Sequence, residues 1–247
     1  MARHLVANYP MAGLTTVAEF AAQSGVSTAT VLRLVRRLGF PVYADFQASL
    51  RLHLEETLQS PLVRFGDRQL SERAAQNPFL DRFVDAMSAH LQMLRDNIPA
   101  VEFERVVALL ADPRRDIHVL GGRYSSNIAV YVADLLTAVR GRIHTVRGQT
   151  QKWPHHLLDM GRGSVLLAID VRRYQADVVE FVEAASRRGA TVVLLTDTWH
   201  SPASRTADHV LGFPVDSPSV FDVLTVGMAL AEALVGAVAI RLGDAGR

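Results

Sequence analysis

Residues Thr15–Phe40, TTVAEFAAQSGVSTATVLRLVRRLGF, read as two short helices joined by a tight turn. Thr16 is placed to cap the first helix, and Val17, Ala18, Phe20 and Ala21 give it an apolar stripe at helical spacing. Ser24-Gly25-Val26 forms the turn, where glycine supplies a backbone conformation that other residues resist. Ser27 caps the second helix, whose buried face is Val31, Leu34, Val35 and Leu38. Its opposite face carries Thr28, Thr30, Arg33, Arg36 and Arg37. A helix-turn-helix lays such a second helix in the major groove of duplex DNA. Thr28, Thr30 and Arg33 are then placed at base edges or the groove and Arg36 and Arg37 at phosphates, with Ser27 beside the DNA at the start of the helix. A solvated helix face would carry the same charges; what favours DNA is their place, just after the turn and opposite the apolar stripe.

Upstream, Ala2–Asn8 reads as the tail of a helix with Leu5 and Val6 apolar, stopped by Pro10. The helix expected behind the pair is thus shortened at its start. Downstream, Gly39-Phe40-Pro41 ends the second helix, and Tyr43–Leu58 forms another, with Phe46, Leu50, Leu54 and Leu58 on one stripe. Ser60-Pro61 breaks it. Residues 62–76 mix charge with scattered apolar positions and read as linker. Asn77-Pro78 reads as a cap followed by proline at the first helical position, opening helices over Phe79–Arg95 and Pro99–Leu110.

From Asp116 onward, short apolar runs alternate with helical segments. The runs are Ile117–Leu120, Ile143–Val146, Val165–Ile169, Val192–Thr196 and Val210–Phe213. Helices over Ser125–Val139 and Gln175–Arg188 and a short piece near Ala203 lie between them, and a long apolar helix, Ser219–Leu242, closes the chain. This alternation predicts an α/β domain, a five-stranded parallel sheet with helices on both faces. Ligands of such sheets bind beyond the carboxyl ends of the strands. The domains expected are a helix-turn-helix over 1–60, a linker over 61–77 and an α/β domain over 78–247.

Composition fits that division. The chain has 247 residues, 49% of them hydrophobic, which is enough for one or two cores. The formal net charge is only +1, so any nucleic-acid surface has to be local. Lys152 is the sole lysine. Arginine favours planar contact with phosphate and guanine, but a GC-rich genome produces the same bias. Cysteine is absent, which excludes disulfides, thiolate nucleophiles and cysteine-ligated metals and fits a reducing compartment. The first residues lack a long apolar run, and the stretch Val223–Ile240 reads as a buried helix rather than a membrane span. The reading is cytoplasmic, with no membrane partner.

At the strand ends, Gly121-Gly122-Arg123-Tyr124-Ser125-Ser126 leads from the first strand into a helix. Gly122, Ser125 and Ser126 would cradle an anion there, or serve as a tight turn with a serine cap. After the third strand comes Asp170-Val171-Arg172-Arg173-Tyr174, where two guanidiniums suit a phosphate or carboxylate. A solvated loop, or Asp170 paired with an arginine, is the alternative. Thr196, ending the fourth strand, either bonds the ligand or caps the turn, and Ser219 caps the last helix. His155-His156 point to different faces and make poor co-ligands, so no metal or other cofactor is expected. No nucleophile elbow or Walker loop is present.

The two halves together resemble the RpiR family of bacterial transcription regulators. The resemblance rests on Val17-Ala18-Glu19-Phe20-Ala21, Gly25-Val26-Ser27, Thr30-Val31, Arg33-Leu34, Leu38-Gly39-Phe40 and Phe46. In the C-terminal half it rests on the strand, the Gly-rich turn, Ser125-Ser126 and helix of a SIS (sugar isomerase) domain. Gly189-Ala190, Thr196 and Ala207-Asp208 match as well. The resemblance implies a flavodoxin-like five-stranded sheet that senses a phosphosugar and alters operator binding, as a homodimer or homotetramer. One departure matters: the family's Ser-x-Ser-Gly-x-Thr loop after the third strand is here Ile169-Asp170-Val171-Arg172-Arg173-Tyr174. The effector expected is therefore an anionic metabolite, a phosphosugar or a related sugar acid, held among Gly122, Ser125, Ser126, Arg172, Arg173, Tyr174 and Thr196. No catalytic residue is assigned. The alternative is a SIS-type phosphosugar isomerase or lyase, whose base would have to come from Glu180, Glu183 or Glu232.

Overall fold

The computed structural model describes residues 1–7, 10–58 and 77–245. The expected linker over 61–76 and the Ser60-Pro61 break lie outside these residues, as do the side chains of Val6, Leu54 and Leu58. The chain divides into two compact units, residues 1–64 and 65–247.

In the first unit, α1 (Ala2–Ala7) and α2 (Met11–Leu14) precede α3 (Val17–Gln23), α4 (Thr28–Arg37) and α5 (Tyr43–Leu58). Thr16 and Glu19 form a reciprocal capping box at the start of α3, and the Ser27 hydroxyl accepts from the Thr30 amide at the start of α4. Gly25 sits at φ +65° between the two helices, a conformation that a side chain disfavours. Leu5, Ala12, Phe20, Ala21, Val31, Val35, Tyr43, Phe46 and Leu50 form the core. Ala18 lies exposed, and Leu38, at the C-cap of α4, is 50% exposed, so neither joins the buried stripe expected of it.

The short α2 is absent from the sequence reading, which stopped the chain's first helix at Pro10. It is tied down by α5: the Tyr43 hydroxyl donates to the carbonyls of Gly13 (3.2 Å) and Thr15 (3.1 Å), and the Gln47 amide donates to Leu14 (3.1 Å) and Thr15 (2.8 Å). These bonds satisfy carbonyls that the end of a helix leaves without intrahelical partners.

The second unit begins with α6 (Phe79–Asn97) and α7 (Ala100–Ala111). Pro78 occupies the N-cap of α6 itself, one position earlier than expected, with no side-chain cap bond. There follow β1 (Asp116–Gly121), α8 (Ser126–Val139), β2 (Ile143–Val146), α9 (Pro154–Leu158), β3 (Ser164–Asp170), α10 (Ala176–Arg187), β4 (Thr191–Asp197), β5 (His209–Phe213) and α11 (Thr225–Ala245). A single turn of 3₁₀ helix, Pro202–Arg205, stands where a short piece near Ala203 was expected.

All strand pairs are parallel, in the order β2-β1-β3-β4-β5. Every residue of β3 is buried, as a central strand covered on both faces requires. Val165, Leu167 and Ile169 face a core shared with α6, α7, α8 and α11, while Leu166 and Ala168 face the smaller core under α10. Helix α11 is long and apolar enough to cross a membrane, but Val226, Leu230, Leu234 and Val238 are buried in the larger core. It starts six residues later than expected. Ser219 therefore does not cap it: the Ser219 amide donates to Ser217 Oγ and its hydroxyl accepts from the Phe221 amide, within the preceding loop.

Candidate functional site

In the helix-turn-helix, residues of α4 stand where the sequence placed them. Ser27, Thr28, Arg33, Arg36 and Arg37 are exposed and Thr30 is half-buried, on the side away from Val31 and Val35. Ser27 Oγ and Thr30 Oγ1 lie 3.0 Å apart, and an Arg33 guanidinium nitrogen donates to Thr30 Oγ1 at 3.2 Å. The unit thus presents a short row of hydroxyls and guanidiniums at the start of a helix whose other face is anchored in the core.

In the α/β unit, the strand order reverses between β1 and β3, and the loops leaving these strands meet there. Gly121 must be glycine, since a Cβ would fall 2.5 Å from the backbone of Ser125 and Ser126. The Ser125 hydroxyl is fully used at this seam. It donates to the Ile169 carbonyl (2.6 Å) and accepts from the Gly122 amide (2.8 Å), tying the β1 loop to the end of β3. The Gln175 side chain adds a second tie by accepting from the Arg123 amide. Ser126, half-exposed, donates to the Arg123 carbonyl at 3.2 Å.

At the ends of β3 and β4, two carboxyls are buried. Asp170 accepts from the Ser201 hydroxyl at 2.5 Å, and burial pushes its pKa up to about 6. Asp197 accepts from the Arg172 amide (2.6 Å), the Tyr174 hydroxyl (2.7 Å) and the Trp199 amide (3.0 Å). Burial raises its pKa too, against the lowering effect of those three donors. Tyr174 is raised by burial and then by the neighbouring Asp197 charge. Thr196 is wholly buried, and its hydroxyl accepts from the Ser201 amide at 3.0 Å.

The Arg172 guanidinium turns away from the β1 loop toward the segment between β5 and α11. It meets Asp222 with two donors, Nε (3.0 Å) and one Nη (2.7 Å), and Asp216 at 2.9 Å, and it lies 3.5 Å over the Trp199 ring. The site expected from the sequence is thereby redistributed. Ser125, Tyr174 and Thr196 hold loops together through their own hydroxyls. Arg172, expected to receive the ligand's charge, is paired with two carboxylates of the chain. Arg123 and Arg173 are exposed and Ser126 is half-exposed. Asp197, Gln175, Ser201, Asp216 and Asp222 are the structural contributors that the sequence reading missed. The only local signal was Asp216 and Asp222 flanking Ser217-Pro218-Ser219, and nothing in the sequence says which arginine they face.

The carboxylates available for an isomerase are placed elsewhere. Glu183 lies 3.6 Å from Arg187 one turn along α10, and Glu232 on α11 accepts from the Tyr131 hydroxyl at 2.9 Å. Glu180 is exposed on α10. Among the described residues, no three His, Asp or Glu side chains converge as a metal site would need.

A capped helix-turn-helix is followed by a parallel 2-1-3-4-5 sheet with a polar seam at its switch point. The SIS domain family matches residues 109–237. The chain belongs to that family. Over 205 residues it is 23% identical to an uncharacterized HTH-type transcriptional regulator of Providencia stuartii, covering 81% of this chain and 69% of that protein. The sugar isomerase domain of an RpiR transcription factor from Sphaerobacter thermophilus superposes with a TM-score of 0.59 at 24% identity, over 67% of this chain and 91% of that one. The Vibrio vulnificus NanR protein complexed with ManNAc-6P superposes with a TM-score of 0.60 at 20% identity, over 98% of this chain and 86% of that one.

Proposed function

We propose that this regulator reads duplex DNA through α4 and is switched by an anionic, sugar-derived metabolite, a phosphosugar or sugar acid, at the carboxyl ends of β1 and β3. The observation that carries the DNA half is the exposure of Thr28, Arg33, Arg36 and Arg37 on a helix fixed by Val31 and Val35. Thr28, Thr30 and Arg33 contact bases or the groove, Ser27 lies at the helix start, and Arg36 and Arg37 hold phosphates. The effector half is supported by the switch-point seam and by NanR, whose ligand carries a phosphate. The ligand lies among Gly122, Arg123, Ser126, Arg172 and Arg173, with Ser125, Tyr174 and Thr196 shaping the floor.

The protein acts as a cytoplasmic homodimer or homotetramer, so that two recognition helices meet half-sites about one helical turn apart, or a multiple of it. The domains run over 1–60 and 78–247, joined by the linker. A ligand changes DNA affinity only as far as it prefers one of two arrangements. The protein is not an enzyme, a reading supported by the distribution of Glu180, Glu183 and Glu232.

The test is selection of bound fragments from genomic DNA, followed by fluorescence anisotropy. Arg33→Ala with Arg36→Ala is expected to abolish preference for the selected fragment over random duplex. Specific affinity surviving in that variant refutes the assigned face. Sugar phosphates and sugar acids are then screened by thermal shift, and turnover of any of them rejects the non-enzymatic reading.

A further inference from the structure

The contacts of Arg172 single it out among the arginines at the strand ends. Its side chain is 5% exposed, and its position is fixed from its root, because its own amide is bonded to the buried Asp197. Its flat face rests on Trp199, which leaves its in-plane N–H donors, the Nε–Nη edge among them, to receive oxyanions. Asp222 fills that edge with both carboxylate oxygens, at 3.0 and 2.7 Å, the bidentate geometry by which arginine holds a carboxylate or phosphate. Asp216 adds a second carboxylate at 2.9 Å, one more negative charge than the arginine neutralises.

Both aspartates belong to the irregular segment between β5 and α11. They sit at the neck of a loop closed by the Val223 amide donating to the Val215 carbonyl at 2.8 Å. Inside the loop, Ser217 Oγ donates to the Phe221 carbonyl at 3.1 Å, and the Phe221 side chain stands 61% exposed. The Asp216 side chain is 51% exposed, so solvent and solutes reach the cluster from its side.

We propose that Asp216 and Asp222 are a built-in occupant of an anion subsite on Arg172. These carboxylates stand where an oxyanion of the effector goes, and binding exchanges one for the other. The proposal rests on the anionic-effector reading above and adds its mechanism. Exchange is like for like: the guanidinium keeps a bidentate partner and its seat on Trp199, and the displaced carboxylate returns to water. What is lost is the clamp on the loop neck. That loop leads directly into Thr225, where α11 begins, and α11 packs against α7, α8 and α6. Ligand binding at a strand end is thereby converted into a change at the start of a core helix.

The test uses the full chain with Trp153→Phe, which leaves Trp199, under Arg172, as the reporter among the chain's two tryptophans. Inorganic phosphate is titrated while Trp199 emission is followed. The expected result is a saturable change in emission, with the apparent Kd lowered about tenfold by Asp216→Asn plus Asp222→Asn, in the usual range of coupling between sites. Chymotryptic cleavage after Phe221 is expected to rise with phosphate in the parent and to be high without it in the double variant. If the double variant misfolds, Asp216→Asn alone, which leaves the Asp222 pair intact, is expected to lower Kd by a smaller factor. Phosphate binding that neither variant tightens overturns the exchange and leaves the anion reading standing. Absence of phosphate binding in the parent and in the Asn variants alike overturns both.

Discussion

Asp170 and His118 titrate in opposite senses because burial penalises whichever form is charged. Burial raises Asp170 from an ordinary 3.8 to about 6, so its contribution to stability is complete below 3.8 and is lost as pH rises through about 6. His118, on β1, has both ring nitrogens buried without a partner among the described residues, and burial pushes it from 6.5 down to about 4. Its contribution is present above 6.5 and is lost as pH falls through about 4. Over that window the two oppose each other. Asp170→Asn removes one of them, and the unfolding free energy is expected to fall more steeply on acidification than in the parent. Urea denaturation across the window checks this; an unchanged slope rejects it. Ser125→Ala removes the hydroxyl's bonds to the Gly122 amide and the Ile169 carbonyl and leaves only the 3.3 Å bond between those two groups, a loss of about 1 kcal/mol in the α/β unit that urea unfolding measures directly. Ser125 was legible in the sequence as a residue of the site, but the direction in which its hydroxyl points was not. The pairing of Arg172 with Asp222 spans 50 residues of sequence, and no local pattern encodes it.

Among the elements, α4 was the most legible, because cap, apolar stripe and charged face follow one another directly from Ser27 to Arg37. Its arginines make a separable prediction. Arg36→Ala with Arg37→Ala is expected to lower the slope of log affinity against log salt by about two, with sequence preference retained. Anisotropy at graded salt reads both. Thr16→Ala removes the capping box of α3 at a cost of about 1 kcal/mol, visible as a lower unfolding midpoint of the first unit. The strands were legible to within a residue or two, since apolar runs bounded by turn signals leave little freedom. The start of α11 was not. Residues 219–224 carry Val220, Phe221, Val223 and Leu224 and read as helix, but they are bonded to Arg172 and within their own loop instead. The short α2 escaped for a similar reason: four residues carry no periodicity, and it is held by Tyr43 and Gln47 from far along the chain.

On the scale of the whole molecule, the cores of the two units share no residue. Calorimetry of the full chain is therefore expected to show two transitions. Gly13→Ala supplies a selective probe, because a Cβ there would fall 2.3 Å from Leu50 Cδ1 and 3.0 Å from the Phe46 ring. Overpacking of this kind costs about 1–3 kcal/mol, and in a unit of this size each kcal/mol moves a midpoint by roughly 4–8 °C. The transition of the first unit alone is expected to shift; a matching shift in both would show that the units unfold together.

What the sequence by itself determined is what local periodicity and capping can encode: a helix-turn-helix with its exposed arginine face, five short parallel strands, and polar loops at the strand ends. These follow from which residues must be buried and which cannot be. What only the tertiary structure decided is how the charges at that site are used. A guanidinium takes the best-placed carboxylate or ligand in three dimensions, whatever its distance along the chain, and here it reaches Asp216 and Asp222 instead of the β1 loop. The two arginines after β3 read alike in sequence, and folding buried one against two carboxylates of its own chain and left the other exposed.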